Sequence, residues 1–120
     1  QVIPVCPEVL GGLPIPRSPL EISNGDGYDV WAGSALVVNQ DGVNFTYKFQ
    51  KGALETLNLC RKHGVKMAVL KEKSPSCGSK RIYDGTFSTR LIPGSGVTAS
   101  LLKKEGIKIF SEQEWLNEVE

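Results

Sequence analysis

Apolar and polar positions change their period several times along the chain. Val2-Ile3-Pro4-Val5 is a short, β-branched run stopped by Cys6-Pro7, which predicts a buried strand whose carboxyl end carries Cys6. The connection that follows, G-G-L-P-I-P-R-S-P-L, is rich in glycine and proline. Its prolines predict no helix between Pro7 and Pro19, and a loop that is either functional or disordered. Ala35-Leu36-Val37-Val38 and Val43-Asn44-Phe45-Thr46 flank Asn39-Gln40-Asp41-Gly42, and the Asp-Gly pair predicts a hairpin. Over 47–63, Phe49, Ala53, Leu57 and Cys60 recur at helical spacing and Gly64 supplies a stop, predicting a helix with one buried face. Residues 65–70, V-K-M-A-V-L, predict a second strand; a second helix is expected over 97–105, closed by Gly106, and a third strand over 107–110. Ser111 with Glu114 forms a capping box that opens a last helix over 112–119.

Strands alternating with helices imply β-α-β units around a parallel sheet. The expected fold is a three-layer, Rossmann-like or flavodoxin-like α/β domain with a mostly parallel sheet. In such sheets ligands bind outside the carboxyl ends of the strands. Cys6 and the loop Ser74-Pro75-Ser76-Cys77-Gly78 both follow expected strand ends, so they are expected to meet at one edge. The length of 120 residues, 40% of them hydrophobic and 22% charged, fits one domain over 1–120 with a real core.

Charge narrows the partners. Lysine and arginine number 14 against 13 aspartates and glutamates, a formal net charge of +1 with no long run of either sign, so nothing attracts nucleic acid or an anionic membrane. No apolar run approaches the roughly 20 residues that span a bilayer, and no signal-peptide pattern opens the chain. A small-molecule partner and a cytosolic location are expected; nothing indicates the oligomeric state. Three cysteines are an odd number, which argues against a disulfide framework.

Cys6 and Cys77 are the leading candidates for chemistry, because a thiolate binds soft metals and is a nucleophile. The competing readings are two ordinary half-buried thiols, or a reversible disulfide between them acting as a redox switch; no C-x-x-C or C-x-x-H pair fixes a metal site. Cys60 lies on an apolar helix stripe and reads as core, and His63 reads as a helix C-terminal cap. Glu8, two residues beyond Cys6, could move protons beside a thiolate or be a solvated carboxylate. Ser74 and Ser76 could position a substrate or stabilise the turn. Gly94, Ser95 and Gly96 precede a helix whose free N–H groups could hold an anion or polar ligand, or they form a plain flexible start. Lys71, Lys73, Lys80 and Arg81 surround the cysteine loop and could attract an anion, although solvated side chains are the default. The sequon Asn44-Phe45-Thr46 carries no meaning in a cytosolic hairpin.

Four separated segments together resemble one bacterial family, long labelled domain of unknown function 523, whose members with an assigned activity are thiouracil desulfidases. They are C-P-E-V-L-G-G-L-P-I-P-R from Cys6, L-K-E-K-S-P-S-C-G-S from Leu70, I-Y-D-G-T-F-S from Ile82 and P-G-S-G-V-T-A from Pro93. The resemblance implies removal of sulfur from a thiolated pyrimidine by a [4Fe-4S] cluster held by three cysteines. The uncoordinated iron would take the substrate sulfur as a Lewis acid without net redox change. It implies that Cys6 and Cys77 are two cluster ligands, that Glu8 is the acid/base residue and that Ser74 is its hydroxyl partner near the substrate; from the residues themselves, Ser76, Gly94, Ser95 and Gly96 are expected to bind the substrate. It places the other ligand in an upstream segment of the form S-x-C-L-L-G, so the chain is expected to lack a first strand and helix. A cluster-free module binding a small metabolite in the same crevice is the alternative.

Overall fold

The structure, a computed structural model, describes residues 3–15 and 18–119. Its longest element, Thr46–Lys62, follows from periodicity: Phe49, Ala53, Leu57 and Cys60 form one buried stripe, with Gly52 and Thr56 beside it. The helix stops where the sequence says it should. Gly64 adopts φ 64°, its N–H reaches Arg61 O, and the N–H of Val65 reaches Cys60 O at 2.8 Å. This pair of bonds is a Schellman motif, with His63 as the C-cap residue.

In chain order the elements are α1 (Pro7–Leu10), β1 (Leu20–Ser23), α2 (Gly27–Ala32), β2 (Leu36–Asn39), α3 (Thr46–Lys62), β3 (Met67–Leu70), β4 (Arg81–Tyr83), β5 (Leu91–Pro93), α4 (Val97–Lys104), β6 (Lys108–Ser111) and α5 (Glu112–Val119). The architecture is mixed α/β. Among the described residues the parallel ladder is β3 with β6, with Met67 opposite Lys108 and Leu70 opposite Ser111, and a single parallel bridge joins Lys73 to Ile82. β1 with β2 and β4 with β5 are antiparallel. The expectation of a mostly parallel sheet is thereby corrected, because two antiparallel pairs built from short strands stand beside the one parallel pair.

Three further expectations are corrected. The strand expected over Val2 to Val5 is absent in its described part: Ile3, Pro4 and Val5 join no ladder, and Pro4 has no N–H to give one; Val2 lies outside the described residues. Pro7 opens a helix instead of forbidding one, since at the first helical position its missing N–H costs nothing. The hairpin forms its turn, with Asn39 Oδ1 accepting the N–H groups of Asp41 and Val43, but only the bridge Val38–Asn44 follows. Thr46 starts α3 and its hydroxyl accepts the Val37 N–H, so β2 pairs with β1 instead. The capping box at Ser111 forms as expected, through Ser111 N to Glu114 Oε1 and Glu114 N to Ser111 Oγ. No described helix is long and apolar enough to cross a membrane.

The core gathers Ile22, Val30, Val37, Phe49, Ile82, Val97 and Leu102 from nearly every layer. Two backbone contacts decide where the N-terminal segment sits on it. A Cβ on Gly52 of α3 would collide with the Pro7 carbonyl, and one on Gly11 would collide with the Lys48 carbonyl. Thus α1 lies backbone to backbone on α3, and this contact fixes Cys6 and Glu8 at either side of Pro7. Gly52→Ala is expected to destabilise the protein by about 1–3 kcal/mol, the usual cost of overpacking. Urea denaturation measures it, and a parent-like midpoint would show that α1 can shift freely.

Candidate functional site

Beyond β3 the chain turns sharply, and one carboxylate organises the turn. Glu72 Oε1 accepts the N–H groups of Ser79 at 2.9 Å, Lys73 and Lys80 at 3.2 Å and Arg81 at 3.3 Å, while Oε2 accepts the Ser79 hydroxyl at 2.8 Å. Partial burial opposes the charge, but these donors outweigh it and hold the Glu72 carboxyl down at about 2. Inside the turn, Ser74 Oγ accepts the N–H groups of Ser76 and Cys77 at 3.0 and 3.1 Å. That leaves the Ser74 hydroxyl hydrogen to donate from a half-buried position.

The turn is joined to the start of α4. Val97 N–H donates to Pro75 O, and both Thr98 and Ala99 N–H donate to Ser76 O, at 2.8–3.1 Å; Gly96 N–H reaches Gly78 O at 2.8 Å. The expected cradle of free amides behind Gly94, Ser95 and Gly96 is therefore filled by the protein's own carbonyls. Gly96 is needed for this approach, since a Cβ there would overlap the Ser76 and Pro75 carbonyls. Ser95 is buried, with its hydroxyl 3.0 Å from that of Ser100, and Ser76 is 1% exposed against Thr98.

Cys77 is buried and Cys6 exposed, and all three cysteines are free thiols. Burial pushes the Cys77 thiol up to about 12, against a hydrogen bond to Ser76, and the charges of Glu8 and Cys6 push it further. These charges act on Cys77 because α1 and the turn bring the three side chains into electrostatic reach. Cys60, on the core stripe of α3, is raised by burial alone. The basic residues around the turn stay on the surface, and Lys80 pairs with Glu114 of α5 at 2.7 Å. Surface depressions of about 310 and 280 Å³ lie elsewhere, lined by 63–67 with Ile3 and by Leu10 with one face of α3. The site is thus located by its side chains, not by a cavity.

A family model described as 2-thiouracil desulfurase matches residues 1–114. The chain belongs to the 2-thiouracil desulfurase family. It is also 46% identical over 119 residues to the uncharacterised protein YbbK of Bacillus subtilis (strain 168), covering 99% of this chain and 78% of that protein. Among solved structures it is similar to the [4Fe-4S]-dependent thiouracil desulfidase TudS, with a TM-score of 0.82 and 43% identity over 94% of this chain and 68% of that one. In this 2-thiouracil desulfurase family member, Ser74 and Cys77 share one turn, and Cys6 and Glu8 lie close enough to act electrostatically on Cys77. Glu72 and Thr98 were missed in the sequence, although both fall inside the quoted segments. Glu21 was missed as well: it is buried on β1 and holds the D-G-T-F-S loop by accepting the N–H groups of Gly85 and Phe87.

The Glu72 clamp has a pH signature. Its folded carboxyl titrates near 2, below the ordinary 4.5, so its stabilisation is complete above about 4.5 and is lost as the pH falls through about 2. Solvent screening of this half-buried group keeps the effect modest. Glu72→Gln is expected to lower stability at neutral pH and to flatten its decline across that acid window. Thermal unfolding against pH reads both, and an unchanged slope would contradict the clamp.

Proposed function

We propose that the chain removes sulfur, as sulfide, from a thiolated pyrimidine such as thiouracil, using a [4Fe-4S] cluster for which Cys6 and Cys77 are ligands. The carrying observation is the gathering of an exposed thiol, a buried thiol and a carboxylate around one rigid turn, in a member of a desulfurase family. The donor set fits such a group: two thiols are soft ligands, and a buried thiol held neutral needs a cation to become a thiolate. Among the described residues no three or more His, Cys, Asp or Glu side chains are arranged as a complete metal site. Cys60 faces the core, so any third thiolate comes from elsewhere. The parallel β3–β6 pair, with α4 between them in the chain, supports reading the fold as one β-α-β unit of a Rossmann-like, three-layer domain. Free thiols suit a reducing cytoplasm.

The overall change exchanges a carbon–sulfur double bond for a carbon–oxygen one: the base and water give the oxygenated base and hydrogen sulfide. A cluster held by Cys6 and Cys77 would supply Lewis-acid chemistry toward the substrate sulfur. Glu8 takes a proton from the attacking water and returns it to the departing sulfur or the ring nitrogen. Ser74 donates its hydroxyl hydrogen to the substrate while its oxygen remains fixed by the Ser76 and Cys77 amides. Ser76, Gly94, Ser95 and Gly96 serve the substrate indirectly, by fixing the turn against α4.

Anaerobically reconstituted protein is expected to bind iron and to release sulfide from 2-thiouracil; an iron-free protein that releases none would refute the reading. Cys77→Ser is expected to lose most of the iron, because a hydroxyl poorly replaces a thiolate. Glu8→Gln is expected to keep the iron and lose about 10²- to 10⁴-fold in sulfide release, the scale of a general acid/base. Parent-like turnover in Glu8→Gln would remove its assigned role.

A further inference from the structure

Ser76 and Thr98 form a buried pair that sulfur removal as described does not use. Their hydroxyl oxygens are 2.8 Å apart, and the residues are 1% and 0% exposed. Ser76 Oγ also lies 3.7 Å from Cys77 Sγ. Thr98 grips Ser76 twice, since its N–H donates to the Ser76 carbonyl at 2.8 Å while its hydroxyl meets the Ser76 hydroxyl. A two-point grip from the first turn of α4 fixes both the backbone and the side chain of Ser76.

The hydrogens in this row can run two ways. With a thiol at Cys77, S–H points to Ser76 Oγ and the Ser76 hydrogen points to Thr98. With a ligated sulfur there is no S–H: Thr98 O–H then points to Ser76 and Ser76 O–H points to Cys77 Sγ. In this second direction both hydroxyl hydrogens have an acceptor within the row, and each bond polarises the next. Resting on the desulfidase reading, we propose that Thr98 is a positioning residue for Cys77, orienting Ser76 so that its hydroxyl donates to the ligating sulfur. Hydrogen bonds to ligating sulfurs are one of the levers that set the electronic character of a cluster.

The test is the one-electron reduction midpoint of the reconstituted protein, read alongside iron content. A donor to the sulfur favours the reduced, more negative state. Ser76→Ala is therefore expected to make reduction about tenfold less favourable, a midpoint about 59 mV more negative. Thr98→Val keeps the Ser76 hydrogen but removes the hydroxyl that orients and polarises it, so it is expected to shift the midpoint in the same direction by a smaller amount. Thr98→Ser is expected to restore the parent value. A parent midpoint in Thr98→Val, or Thr98→Ser shifted as far as Thr98→Val, would overturn the proposal. Should Thr98→Val not fold, Ser76→Ala and Thr98→Ser decide: a parent midpoint in the first, or a shifted one in the second, overturns it. If the parent protein takes up no iron, the desulfidase reading fails first, an outcome distinct from an iron-loaded parent whose variants do not differ.

Discussion

The start of α4 has no side-chain cap: Gly96 occupies the N-cap position and offers no oxygen to the orphan amides that every helix begins with. Those amides are buried, and leaving them unpaired would cost about 1–3 kcal/mol each. The turn after β3 satisfies them with the carbonyls of Pro75 and Ser76. Much of the site's geometry follows from that exchange. The turn must lie flat on α4, Gly96 must lack a side chain to let it, and Cys77, next in the chain after Ser76, is drawn beneath the surface.

From the other side, the same turn is gripped by groups that leave it little freedom. The Glu72 carboxylate gathers four amides and a hydroxyl, Lys103 Nζ donates to the Ser79 carbonyl, and Gly94 N–H reaches Lys80 O. Cys6 and Glu8 arrive by an independent route, on the short helix α1 seated against Gly52 of α3. The site therefore stands where two backbone-to-backbone seams meet. A soft ligand group placed there would have one thiol reachable from solvent and another whose surroundings are fixed by the fold.

Elements marked by a long period, an apolar run or a capping pair were legible in the sequence. The stripe of α3 with its Gly64 stop, the β3 and β6 strands, and the Ser111–Glu114 box before α5 all needed only local chemistry. β1, α2, β4 and β5 were not: they are close to β3 and β6 in length, but they lie among Gly-, Pro-, Ser- and Asp-rich stretches, without the continuous apolar run that marks β3. The turn at Asn39–Gly42 was read correctly from Asp-Gly, yet its second strand was not, since Thr46 has a better use as the start of a helix. Cys6, Glu8, Ser74 and Cys77 could be singled out as polar or sulfur-bearing residues in loops. Glu72 and Thr98 could not, because their partners are seven to nine and 22 residues away and exist only once the turn has closed on α4.

The central claim is that this turn and the first turn of α4 form one hydrogen-bonded unit. Native-state hydrogen exchange resolved at single amides tests it most directly. The account predicts that the amides of Cys77, Gly78, Val97, Thr98 and Ala99 are protected together and open in one cooperative step. Rapid exchange at Val97, Thr98 and Ala99, as at a frayed helix end, with protection retained farther along α4, would contradict it.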